Sequence, residues 1–88
     1  MKFAKLNKAD LKRAKLNNAD LRNINALDVI LEYAHMNNAK LGGAKLNKAK
    51  LGGANLNRAS LNGVTDLSGA KLFNVKATNL LGLSLIHI

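Results

Sequence analysis

Five acids and two histidines are all the chain offers for acid–base or metal chemistry, beside fourteen lysines and arginines. Glu32-x-x-His35 has the spacing of a di-iron helix motif. That use needs a second such motif and further glutamates on facing helices, and none remains, so the two read as surface residues. The second histidine, His87, sits in an apolar tail, and no Ser-His-Asp arrangement can be assembled around it. Gly42-Gly43 and Gly52-Gly53 recur ten residues apart. A loop cradling phosphate would need a following helix and a Lys-Ser/Thr pair, so these glycines read as chain corners. No cysteine is present, which excludes disulfides and thiolate metal sites. The sequence therefore supplies no catalytic, metal-binding or cofactor-binding set, and the expectation is a non-enzymatic module.

The formal net charge is +9. Such a surface favours polyanions such as nucleic acid or anionic headgroups, with Lys5, Arg13, Lys15, Lys45, Lys50 and Arg58 as the candidate anion-binding residues. The aromatics are Phe3, Tyr33 and Phe73, too few for a base-stacking platform. Nothing reads as a helix for the major groove. The expected nucleic-acid binding is weak, non-specific and steeply salt-dependent. The competing explanation is that lysine keeps outward faces soluble and blocks edge-to-edge aggregation. An unknown protein partner would instead need exposed apolar surface, for which Leu27, Ile30 and Phe73 are the candidates.

What must position these residues is a five-residue repeat. From Ala34 to Gly63 the chain reads in units such as Ala-Lys-Leu-Gly-Gly and Ala-Lys-Leu-Asn-Lys. On an α-helix, residues five apart lie about 140° apart, which scatters leucine over every side. On a straight strand an odd period sends successive leucines to opposite faces. Within a unit, Ala and Leu are two apart and share one side of a short extended segment. If the backbone turns once per unit, all of them face one axis, which describes a solenoid. The expected core is Leu6, Leu11, Leu16, Leu21, Leu31, Met36, Leu41, Leu46, Leu51, Leu56, Leu61, Leu67 and Leu72. The two places after each leucine are rich in Asn and Gly, which tolerate tight turns and positive φ.

From Ala4 to Asn79 the chain resembles the pentapeptide-repeat family, whose unit is approximately Ala-(Asp/Asn)-Leu-x-x. The resemblance implies an all-β fold, a right-handed quadrilateral parallel β-helix with four units per coil and about four coils here. It places Leu at the inward central position and Ala two residues earlier. On such a coil Asp10 and Asp20 would lie two faces apart, unsuited to paired acid–base work. The chain departs from the pattern before Leu, where Lys5, Lys15, Lys40, Lys45, Lys50 and Lys71 replace Asp or Asn. Some members imitate the shape and negative charge of DNA and occupy gyrase; a surface at +9 has the wrong sign for that.

Eighty-eight residues allow one domain, with the solenoid expected over 1–79. Residues Ile24 to Tyr33 are irregular: Ile24 and Val29 stand for Ala, Ala26 for Leu, and a helical stripe is also present. Leu21 to Met36 nevertheless spans three whole units, which favours a continuous coil over a helical excursion. Residues twenty apart should then be neighbours. Asp28 falls between Lys8 and Lys48, Glu32 beside Lys12, Tyr33 over Arg13, and Asn17, Asn37 and Asn57 in an amide ladder. Val64 shifts the frame by one, implying a bulge at a corner. Residues 80–88 form an apolar tail that could cap the last coil or join a second copy, as family members often pair through their C-terminal ends. Leu83 to Ile88 also resembles a translated sequencing-adaptor tail, hence non-native and the mark of a fragment. The N-terminus has no apolar h-region and no segment reaches transmembrane length, so a cytoplasmic location is expected.

Overall fold

The computed structural model describes residues 2–61 and 66–71. Each five-residue unit contributes one parallel bridge, made by the residue just before the leucine position. Lys5 bridges Asn25, Asp10 bridges Ile30, Lys15 bridges His35, Asp20 bridges Lys40, and the offset of twenty continues to Lys40 with Ser60. Four units therefore bring the chain back to the same face, one layer on. Four columns of bridged residues result: 5, 25, 45, 66; 10, 30, 50, 71; 15, 35, 55; and 20, 40, 60. Beyond Ser60 the offset becomes twenty-one, with Lys45 on Asp66 and Lys50 on Lys71, so one extra residue is accommodated between Ser60 and Asp66. The chain is a β-helical solenoid.

Four of the five N–H groups in a unit follow one rule. In the unit of Leu6, the Leu6 N–H donates to Asn25 O (2.7 Å) and the Lys8 N–H to Leu27 O (2.8 Å) in the next coil. The Ala9 N–H closes the corner on Leu6 O (3.0 Å), and the Asn25 N–H donates back to Ala4 O (2.9 Å). The second corner residue has positive φ in every described unit, as a type II turn requires. Ten of these residues are not glycine, among them Lys8, Arg13, Asp28, Tyr33, Lys48 and Arg58, with φ of 58–64°. Each costs about 1 kcal/mol or more, offset in nine of the ten, from Phe3 to Lys48, by the inter-coil bond that its N–H makes.

The segment 24–33 continues this ladder, and the helix its apolar stripe would permit is not formed. Asn25 and Ile30 bridge Lys45 and Lys50, and Ile24, Ala26, Val29 and Leu31 are all buried. Ile24 two places before Ala26 exchanges the usual small and large roles of Ala and Leu. The core runs from Leu21 through Leu31, Met36, Leu41, Leu46, Leu51, Leu56 and Leu61 to Leu67, with the alanine column beside it. Leu6, Leu11 and Leu16 are only partly buried, because within the described residues a coil stacks on one side of them alone. Leu72, Val64, Phe73, the unit 75–79 and the tail 80–88 lie outside the described residues.

Candidate ligand-binding surface

Since the side chains at the leucine and alanine positions of each described unit point inward, what the solenoid can bind is set by the bridge residues and the corners. The corners leave one donor uncommitted. The N–H of the first corner residue takes no part in the backbone ladder among the described residues, so side chains compete for it. Where Asp or Asn precedes the leucine, its oxygen can take that N–H from two residues away. Asp10 does so for Lys12 (3.1 Å), Asp20 for Arg22 (3.2 Å), Asn55 for Asn57 (3.2 Å) and Asp66 for Ser68 (3.0 Å). Lysine at that position has no acceptor to offer. A first-corner asparagine of the preceding coil can also take such an N–H, here in the units of Asn25 and His35: Asn7 Oδ1 accepts from the Leu27 N–H and Asn17 Oδ1 from the Asn37 N–H, both at 2.9 Å.

Two oxygens sometimes meet one donor. Asn7 takes the Leu27 N–H, leaving Asn25 Oδ1 buried without a hydrogen-bond partner. At the Asn57 N–H the local Asn55 is the acceptor, and Asn37 Oδ1 is the one left buried and unpartnered. The amide ladder expected over Asn17, Asn37 and Asn57 is therefore a single step from a side chain to a backbone N–H, and it stops at Asn37.

The charged residues distribute by layer. Residues 2–21 carry six bases and two acids, 22–41 two of each, and 42–61 four bases and no acid. The acids of the neutral layer lie in register between the basic ones: the Lys8 N–H meets the carbonyl beside Asp28, and the Asp28 N–H meets the carbonyl beside Lys48. No ion pair within 4.0 Å forms there among the described residues; the pair that does form is within one corner. Arg22 Nε and Nη2 grip Asp20 Oδ1 and Oδ2 at 2.8 and 2.7 Å. The Arg22 hydrogen bonds hold the Asp20 carboxyl below the usual carboxylate range, and the same contact raises the Arg22 guanidinium.

The six candidate anion-binding residues are all exposed, but the fold does not gather them. Lys5 and Lys45 share one column with Asn25 between them, Lys50 is on the next, and Lys15 on the third. Arg13 and Arg58 occupy separate corners. Leu27 and Ile30, two of the apolar candidates, are half-buried, and the exposed large hydrophobics among the described residues are Phe3 and Tyr33. Glu32 is at a corner while His35 bridges Lys15 and Asn55; the described residues contain no cluster of three metal-ligating side chains.

One place combines several of these features. The Arg13 guanidinium lies 5.3 Å from the centroid of the Tyr33 ring, and Tyr33 lies over Gly53 in the next coil. A Cβ built on Gly53 would come within 2.6 Å of ring atoms Cδ1 and Cε1. Glycine here is dictated by the ring, since lysine and arginine occupy equivalent positive-φ positions at Lys48 and Arg58. Arg13, Tyr33, Ala34, His35, Gly53 and Asn55 enclose an open depression of about 250 Å³. The twenty-residue offset predicts Tyr33 over Arg13 from sequence. Read one layer further, the same offset would have added Gly53, and with it the reason for the glycine.

Comparison with known families gives one match: the family model described as pentapeptide repeats fits the chain in eight copies, over residues 4–43 and 34–76. No curated protein matches the sequence. Pentapeptide repeats are in general structural and interaction modules without catalysis. The described residues include no helix long and apolar enough to cross a membrane.

Proposed function

Because the chain belongs to the pentapeptide-repeat family, we propose that it is a non-enzymatic cytoplasmic interaction module, a right-handed quadrilateral β-helix of about four coils presenting rigid flat faces to a protein partner. The observation that supports this reading is the regular pairing offset, twenty residues as far as Ser60 and twenty-one beyond it, which turns two side chains of each unit to the interior and leaves faces one residue wide. Far-ultraviolet circular dichroism tests the architecture: a β-type spectrum is expected, and mainly α-helical bands would sink it. A protein partner docking on the half-buried Leu27 and Ile30 would be weakened by Leu27→Ser and Ile30→Ser and left unchanged by Lys45→Gln. A homodimer through the C-terminal end is a further form of partner, and sedimentation across protein concentration tests it.

A second reading is supported by the charge distribution: two layers with an excess of four bases each flank a neutral one, with all six candidate anion-binding residues exposed. This surface binds nucleic acid electrostatically, without sequence preference. Filter binding across salt concentrations separates the two readings. A logarithm of affinity that falls linearly with the logarithm of salt supports the second, and no detectable binding at low salt removes it.

A further inference from the structure

We propose that the depression formed by Arg13, Tyr33, His35 and Asn55 is a binding site for the terminal phosphomonoester of a nucleic-acid strand. The inference rests on the electrostatic reading above and gives it a location. Its first support is the contrast between two arginines. The fork of Arg22 is consumed by the carboxylate of Asp20 at 2.7 and 2.8 Å. Arg13 instead stacks on the ring of Tyr33, and among the described residues no acid pairs with it. Stacking uses the face of a guanidinium and leaves its in-plane N–H groups available for bidentate contact with a phosphate.

The stack is also built to stay in place. Gly53 lets the Tyr33 ring lie against the next coil, and that ring in turn supports the guanidinium. The remaining polar lining groups, His35 and Asn55, share one bridge column with Lys15, which bridges His35 from the preceding coil. No carboxylate lines the depression. The nearest acid in sequence, Glu32, is the first residue of the corner that carries Tyr33; its carbonyl accepts the Arg13 N–H at 2.8 Å, and its carboxylate makes no ion pair with Arg13 within 4.0 Å among the described residues. A terminal phosphomonoester carries close to two charges and three acceptor oxygens, more than an internal phosphodiester, and so suits a site with several convergent donors. A nucleic-acid source is favoured over a phosphorylated peptide because the coil bearing Arg13 has an excess of four bases, with Lys5, Lys8, Lys12 and Lys15 exposed around it, which attracts a polyanion beyond its end.

The experiment compares single-stranded oligonucleotides of one sequence, with a 5′-phosphate or a 5′-hydroxyl, by fluorescence anisotropy with the full chain at two salt concentrations. The phosphorylated strand is expected to bind about tenfold more tightly, the worth of one charge-assisted contact. Arg13→Gln should abolish that preference, and Arg13→Lys, which keeps the charge without the fork, should lose most of it. Lys45→Gln with Lys50→Gln should weaken both strands alike and keep the preference. Equal binding of the two strands, or a preference that survives Arg13→Gln, overturns the site and leaves the electrostatic reading standing. Absence of binding to either strand removes both. A phosphotyrosine peptide bound as tightly as the phosphorylated strand overturns the assignment to nucleic acid.

Discussion

Two side-chain columns flank the same face of the solenoid and behave differently. Arg13, Tyr33 and Gly53 stack through three layers and every member is accommodated. Asn17, Asn37 and Asn57 have the same twenty-residue spacing, but their stack breaks after one step and leaves Asn37 Oδ1 buried without a partner. The first column is governed by volume. A large ring needs an empty position beneath it, and glycine supplies that. The second is governed by donor counting, since one N–H cannot fully satisfy Asn55 and Asn37 together. Identical register thus guarantees proximity and nothing more; what neighbours do with it depends on shape in one column and on hydrogen-bond supply in the other.

The sharpest way to break the first column is Gly53→Ala. The added methyl collides with Tyr33 and adopts a strained φ, and a loss of about 1–3 kcal/mol is expected by urea denaturation. Gly69→Ala is the control: its Cβ meets the flexible Lys48 Cγ at 3.3 Å, so only the φ penalty remains. An equal loss at both positions would remove the stacking explanation for Gly53.

A smaller, stabilising effect tests the account of the uncommitted N–H. Lys50→Asp places an acceptor two residues before the Gly52 N–H, in a column where its neighbours are Ile30 and Lys71. The variant should gain about 0.5–1.5 kcal/mol, the worth of one hydrogen bond. An unchanged or lowered thermal midpoint would show that solvent already serves that N–H adequately.

The broken amide column should show buffering. Asn37→Ala removes an oxygen that has no partner, and Asn55→Ala frees the Asn57 N–H for Asn37, so each alone should cost under about 0.5 kcal/mol. The double variant leaves that N–H without either oxygen and should cost about 1 kcal/mol, a coupling readable in a double-mutant cycle. Strict additivity would mean that the two oxygens do not compete.

The smallest effect concerns pH. The Asp20 pKa is lowered in the folded chain by its Arg22 hydrogen bonds. The pair therefore contributes its full stability above the ordinary Asp value of about 3.9. That contribution declines as the pH falls toward the lowered folded value. Asp20→Asn should flatten the acid limb of the stability curve below about pH 4 and leave its slope at neutral pH unchanged.

The five-residue period already contained the direction of every core side chain, because Ala and Leu two apart can share an interior only if the chain turns once per unit. With the offset of twenty taken from the family resemblance, it also implied Tyr33 over Arg13 and continuity through Ile24 to Tyr33, since pairing between coils depends on counting residues. Three things needed the folded coordinates. Positive φ at Lys8, Arg13 and Lys48 was hidden because inter-coil bonds override residue preference. The choice between Asn7 and Asn25 for one N–H depends on angles and distances that a sequence does not hold. The depression beside Arg13 exists because Gly53, His35 and Asn55, from two different layers, converge where the corner turns. Periodicity fixes who the neighbours are; only packing fixes which of them bond, because a hydrogen bond is exclusive and directional while burial is neither.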